Sequence, residues 1–142
     1  MDCRFNRLEL MRRIQHIAKF RNRIDLHNQD AIEFLRYISP TLSTKSLIYF
    51  DPPYYSKGSE LYVNYYDDQD HRTLSTFVSE MKRFNWVVSY DDVPPIRALY
   101  AHHQQIHYGL PYSVSRKFIG KEVIVFSDNL TIPRNLRRSL AS

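Results

Sequence analysis

One stretch, Leu47-Ile48-Tyr49-Phe50-Asp51-Pro52-Pro53-Tyr54, constrains this chain's fold more than any other. Four apolar or aromatic residues run without interruption into an acid, two prolines and a tyrosine. An apolar run of this length, bounded by breakers, predicts a short strand buried on both faces. Each proline lacks a donor N–H and fixes φ, so sheet pairing is predicted to stop at Asp51. In an open parallel α/β sheet, ligands bind outside the carboxyl ends of the strands. The stretch therefore sets an acid, a rigid corner and an aromatic ring where a site is expected.

These groups suit one kind of chemistry. The exocyclic amino group of a nucleobase is a poor nucleophile, because its lone pair is delocalised into the ring. A carboxylate accepting one N–H and a backbone carbonyl accepting the other draw that nitrogen toward tetrahedral geometry. Asp51 supplies the first acceptor, and the Pro52 carbonyl, aimed by the fixed φ of Pro53, supplies the second. Tyr54 offers a flat face for an extruded base. The plainer alternative is a strand ending in a proline turn, with Asp51 as turn residue and Tyr54 as packing.

The remaining pattern alternates helices and strands, which predicts an α/β fold. Leu10, Ile14 and Ile17, flanked by Met11 and Ala18, form a helical stripe within Asn6–Phe20, surrounded by Arg7, Arg12, Arg13, Lys19, Arg21 and Arg23. Ile24-Asp25-Leu26-His27 alternates as a half-exposed strand does. Asp30 is placed to cap a helix over Ala31–Ile38. A helix is predicted over Asp70–Arg83 from Leu74, Phe77, Val78 and Met81, with His71 as a solvated first-turn residue. Trp86 to Tyr90 reads as a buried strand. Asp91-Asp92 then precede Pro94-Pro95 and are predicted to cap a helix over Ile96–Tyr100. Gln105–Tyr108 and Glu122–Phe126 read as a closing pair of strands.

Three regions carry candidate contacts. The segment from Tyr55 to Glu60 is polar and is expected to be mobile, with Lys57-Gly58 able to close as a lid. Tyr62, Tyr65 and Tyr66 crowd behind it, suiting either base stacking and sugar–phosphate contact or packing at the sheet edge. Arg116 and Lys117 sit in a polar, basic loop that suits either solvation or a phosphate backbone. His102, His103 and His107 lack cysteine or carboxylate partners for zinc and are read as surface residues.

Composition narrows the class. A chain of 142 residues, 43% hydrophobic and 25% charged, supports one domain with a modest core. Its formal net charge of +5 favours an anionic partner. The single cysteine, Cys3, forbids an internal disulfide and fits a reducing, cytoplasmic setting. No apolar run is long enough to span a bilayer.

Asp51-Pro52-Pro53-Tyr54 after a hydrophobic strand resembles the catalytic motif of S-adenosylmethionine-dependent amino-methyltransferases. Asn28-Gln29-Asp30-Ala31 lies upstream. Downstream come Leu61-Tyr62-Val63-Asn64-Tyr65-Tyr66, an Asp-His-containing helix, and Trp86-Val87-Val88-Ser89-Tyr90-Asp91. That order resembles the Dam-like DNA adenine-N6 methyltransferases from about Phe5 to about Asp128. The resemblance implies a partial Rossmann-like methyltransferase sheet with flanking helices. Its implied catalytic set is Asp51, Pro52, Pro53 and Tyr54. Asp30, Ala31 and Asp51 would meet S-adenosylmethionine, and Tyr54, Tyr62, Tyr65, Arg116 and Lys117 would meet double-stranded DNA, with no metal and no membrane involved. It further implies that residues 1–23 end a recognition region, 24–128 form the catalytic half and 129–142 form a disordered tail.

One expected element is missing from the sequence. Gly58, Gly109 and Gly120 are the only glycines, and none stands in a strand-to-helix turn of the kind that admits this cofactor. By resemblance that turn, and the acid that holds the ribose, would precede residue 1. The expectation is therefore the catalytic part of a longer enzyme, either complemented by a separately encoded N-terminal half or truncated. The rival activities are methylation of an RNA base or a protein amide, and a rival from another class is a non-catalytic DNA-binding remnant.

Overall fold

The computed structural model describes residues 6–56, 58, 65–112 and 118–134, with the backbone alone at 110–112, 118 and 119. Tyr62, Arg116, Lys117 and the tail beyond Arg134 lie outside the described residues. The chain divides into two units, Met1–Leu35 and Arg36–Ser142.

In the first unit, helix α1 spans Arg7–Ala18. It starts where the Asn6 side chain accepts the Glu9 N–H at 3.1 Å, and Glu9 pairs with Arg13 one turn on. None of its residues is buried; Leu8 and Ile14 are 69% and 66% exposed. A single 3₁₀ turn, Arg21–Arg23, follows. The alternation at Ile24–His27 does not produce a strand, and Leu26 is 93% exposed. A strand needs a neighbour for its N–H and C=O groups, and no described segment pairs with this one. Asp30 does cap helix α2, Ala31–Ile38: one side-chain oxygen accepts the N–H of Ile32 and of Glu33, each at 3.0 Å.

The second unit is built on a four-stranded mixed sheet. Strand β1 (Leu47–Phe50) leads to helix α3 (Asp68–Glu80), strand β2 (Asn85–Asp91), helix α4 (Pro94–Leu99) and the hairpin β3 (Gln104–Tyr112) and β4 (Phe118–Phe126). The strand order is β1-β2-β4-β3. β1 and β2 are parallel, in register from Leu47 opposite Asn85 to Phe50 opposite Val88, while β4 runs antiparallel to both its neighbours. A parallel pair requires a crossover, and α3 lies within it. Leu74, Val78, Trp86, Val88, Tyr90, Ile96, Tyr100, Val123 and Val125 are essentially closed to solvent and form the core.

Strand β1 is not buried on both faces as its sequence predicts. Leu47 and Tyr49 are 62% and 60% exposed, whereas Phe50 is buried. Leu47 and Tyr49 share one face of β1, which stays open, and the strand's outer edge has no partner among the described residues. Helix α3 begins before Asp70, because Asp67 and Asp70 cap each other's backbone N–H groups at 2.9 and 3.0 Å. It ends at Glu80, leaving Lys82 and Arg83 outside it.

Two histidines are less exposed than expected: His71 is buried and His103 half-buried. His71 is 1% exposed and its Nδ1 lies 2.9 Å from the Tyr90 hydroxyl, which ties α3 to β2. His103 lies between Ser79 Oγ at 2.9 Å and Asp128 Oδ1 at 3.0 Å, edge-on to Trp86. Its hydrogen bond, with Lys82 nearby, holds the Asp128 carboxyl below its ordinary range. The atom order matches a hydrolase relay, but Ser79 stands in the last turn of a helix, where the dipole opposes a developing oxyanion. The network instead ties α3, the turn before β3 and the segment after β4 together.

Candidate active site

Strand β1 stops where the prolines begin, and Asp51 stands at its carboxyl end. Because Phe50 is opposite Val88, the next residue of β2, Ser89, comes beside Asp51. Ser89 Oγ donates to Asp51 Oδ1 at 2.9 Å and lies 2.7 Å from the Tyr49 hydroxyl. A serine hydroxyl has one proton, so Tyr49 donates to Ser89 and Ser89 to Asp51. Asp51 itself is exposed, with Pro52, Pro53 and Tyr54 half-buried behind it.

The segment after the prolines is held by two acids. The Tyr54 hydroxyl donates to Glu122 Oε1 at 2.9 Å. The backbone N–H of Tyr55 donates to Asp91 Oδ1 at 2.8 Å, and that of Ser56 to Asp91 Oδ2 at 2.9 Å. The Ser56 hydroxyl also donates to Asp91 Oδ2. Asp91 and Glu122 are 8% and 5% exposed and stand directly opposite each other in the β2–β4 register. Two expectations are corrected here. The residues following Tyr54 begin as an anchored turn rather than a mobile loop. Asp91 does not cap α4, whose N-cap is Val93 with prolines in its first turn. Asp92 instead pairs with Arg97 and His107. Burial alone pushes the Asp92 carboxyl up, but the Arg97 and His107 hydrogen bonds outweigh it and hold it below its ordinary range.

Aromatic residues support the turn. The Tyr55 and Tyr66 rings lie 5.0 and 5.4 Å from His71, and His71 meets Tyr90 edge-on. The Tyr55 hydroxyl donates to Asp68 at 3.0 Å, a bond that raises the phenol above its ordinary range. Buried Gly58 has room for no more than close contact: an added Cβ would lie 3.4 Å from Tyr65 Cβ and 3.8 Å from Pro53 Cβ. Of the tyrosine cluster, Tyr66 is thus partly packed, whereas Tyr65 is 55% exposed close to the proline corner.

A family model described as D12 class N6 adenine-specific DNA methyltransferase matches residues 4–110. The chain belongs to that family. The matched span contains α1, the Asp51–Tyr54 corner, Ser89 and Asp91, and it stops short of Glu122. Comparison with curated proteins gives no match. Family membership makes this an enzyme of the DNA adenine methyltransferase kind with a DNA substrate, and the mixed α/β sheet with its helices fits a partial methyltransferase fold. Among the described residues no cluster of three His, Cys, Asp or Glu could hold a metal ion, and no helix is long and apolar enough to cross a membrane.

Sequence reasoning missed Ser89, Asp91 and Glu122 as parts of the site. One signal was present for Glu122: it stands directly before the run Val123-Ile124-Val125-Phe126 in the closing strand, and a carboxylate so placed in a buried strand must find donors.

Proposed function

We propose that this methyltransferase moves a methyl group from S-adenosylmethionine to N6 of an adenine flipped out of double-stranded DNA. The observation that carries this reading is the Tyr49–Ser89–Asp51 hydrogen-bond chain, which orients an exposed carboxylate at the end of a parallel strand. Asp51 accepts one N–H of the amino group and the Pro52 carbonyl the other, drawing the nitrogen lone pair out of the ring. Tyr54 stacks on the base, and the far end of its ring is held by the bond to Glu122. The residues present also fit the cofactor, because a sulfonium cation is favoured beside an exposed carboxylate and an aromatic face. That group supplies an electrophilic methyl; the protein's part is positioning and desolvation.

In the same reading Asp30 and Ala31 meet the cofactor, since a capping aspartate still has a second oxygen to offer. Tyr65, with Tyr62, Arg116 and Lys117, meets the DNA. The catalytic part is taken as 24–128, after the end of a recognition region over 1–23 and before a tail over 129–142, working in the cytoplasm. A separately encoded segment supplying the glycine-bearing turn is part of the proposal, supported by the open face of β1.

The test is incubation with methyl-labelled S-adenosylmethionine and DNA, RNA or protein, with and without such a segment. The expected product is labelled N6-methyladenine in DNA. Label in RNA or in a protein amide overturns the substrate. Salt-sensitive DNA binding with no cofactor binding under any condition overturns the activity and leaves a DNA-binding remnant.

A further inference from the structure

We infer that Asp91 and Glu122 are positioning residues: a pair of buried carboxylates that fixes the Tyr54-Tyr55-Ser56 turn before any base arrives. The two stand opposite each other on neighbouring antiparallel strands, so their side chains leave the same face of the sheet. Like charges directly opposed across a sheet repel, and burial makes each carboxylate costlier still. Such a pair persists only where donors converge on it. One turn sends four donors to the pair: two backbone N–H groups and a hydroxyl to Asp91, and the Tyr54 hydroxyl to Glu122.

A turn that merely reversed the chain would need neither acid. Its half-exposed amides would be met by water, and a packing tyrosine would point its hydroxyl outward. With the hydroxyl tied at 2.9 Å, Tyr54 instead has both ends of its side chain held, so the position and long axis of the ring are set. A base-stacking wall requires this, because a ring that swings away must be brought back at every encounter. Ser89, two residues before Asp91 on β2, stands on the same sheet face and holds Asp51. One face of two strands thus holds both ends of the proline corner.

The catalytic consequence rests on the methyl-transfer reading; the clamp does not, and the experiment separates them. On the full chain, amide exchange at Tyr55 and Ser56 is compared between wild type and Asp91→Asn. The carboxamide presents one oxygen where two were used, so at least one of these amides should exchange about tenfold faster while β3–β4 amides stay slow. Tyr54→Phe keeps the ring and removes only the hydroxyl, so it tests the Glu122 arm even should Asp91→Asn not fold. A looser χ1 at residue 54, read from averaged NMR side-chain couplings, supports the clamp. Unchanged exchange and an unchanged χ1 overturn it.

With DNA carrying 2-aminopurine at the target, Glu122→Leu should brighten the base by loosening its stack, and lower kcat with KM for DNA unchanged. Glu122→Gln, which retains an acceptor, should restore most of both. If the amide and ring results hold while the wild type transfers no methyl group in any combination, the clamp stands and the methyl-transfer reading falls.

Discussion

Strands β1 and β2 run parallel, and each ends in an acid followed closely by two prolines, yet the two ends do opposite things. At the end of β1 the prolines follow Asp51 immediately. An aspartate usually caps its own turn through the N–H groups two and three residues on. Pro53, two residues on, has no N–H, so the first of those bonds is closed to Asp51, and its carboxylate is exposed and aimed by Ser89. At the end of β2 the prolines come later. Asp92 and Val93 intervene, and Pro94-Pro95 open α4, where a missing N–H has no consequence. Asp91 is buried, and its carboxylate is filled by amides from the other strand's turn. The spacing between acid and proline thus separates the carboxylate that stays exposed from the one taken up by the neighbouring turn.

The largest expected effects break this comparison directly. Asp51→Ala should lower kcat for methyl transfer by about a thousandfold, the scale of losing one preorganised group at a reacting centre. It should shift stability by no more than about 0.5 kcal/mol, as exposed substitutions do. Asp91→Ala should reverse the pattern. Removing the carboxylate strands two amides and a hydroxyl, which should cost about 3 kcal/mol in urea unfolding. Equal stability losses in the two variants would show that Asp51 is as structural as Asp91, and the distinction would fail.

Much of the architecture was legible in the sequence because periodicity reports burial. Helix α2 appears with its predicted bounds, capped by Asp30, and the strand from Trp86 lies where its apolar run sets it. The corner Asp51-Pro52-Pro53-Tyr54 was legible because proline acts locally. What was illegible depends on neighbours. Ile24–His27 has a strand's alternation and no partner to pair with. Leu47 and Tyr49 have a buried strand's composition and an open face. His71 has the polarity of a surface residue, but it meets Tyr90, Tyr55 and Tyr66, residues remote in sequence or adjacent only through the turn. Ser89, Asp91 and Glu122 are ordinary letters until the β1–β2–β4 register sets them around one corner.

Ser89 sharpens the comparison, since it joins the two strand ends. Ser89→Ala removes the proton held toward Asp51 and leaves the Tyr49 hydroxyl to water. The expected loss is about 1 kcal/mol of transition-state stabilisation, or about fivefold in kcat. Tyr49→Phe should lose less, because Ser89 still donates to Asp51 without it. If Tyr49→Phe lost more than Ser89→Ala, Asp51 would not be aimed through Ser89.

The smallest expected effect is a pH dependence that runs through the clamp. Burial lowers the His71 pKa from its ordinary 6.5, and the charges of Asp91, Asp70, Asp68 and Asp67 oppose that shift, Asp91 most strongly. The folded chain therefore prefers neutral His71. Above 6.5 the imidazole is neutral in both states and this contribution to stability is complete. As pH falls from 6.5 toward the lower folded value, the unfolded chain takes up a proton that the folded chain refuses. Stability then drops by at most about 1.4 kcal/mol per pH unit from this group. His71→Leu should flatten that segment of the unfolding profile. Asp91→Asn removes the strongest opposing charge, so the His71 ring proton resonance should titrate at still lower pH than in wild type, and the stability loss should extend further into acid. A His71 titration unmoved by Asp91→Asn would mean that the carboxylate holding the turn does not act on the histidine packed against Tyr55.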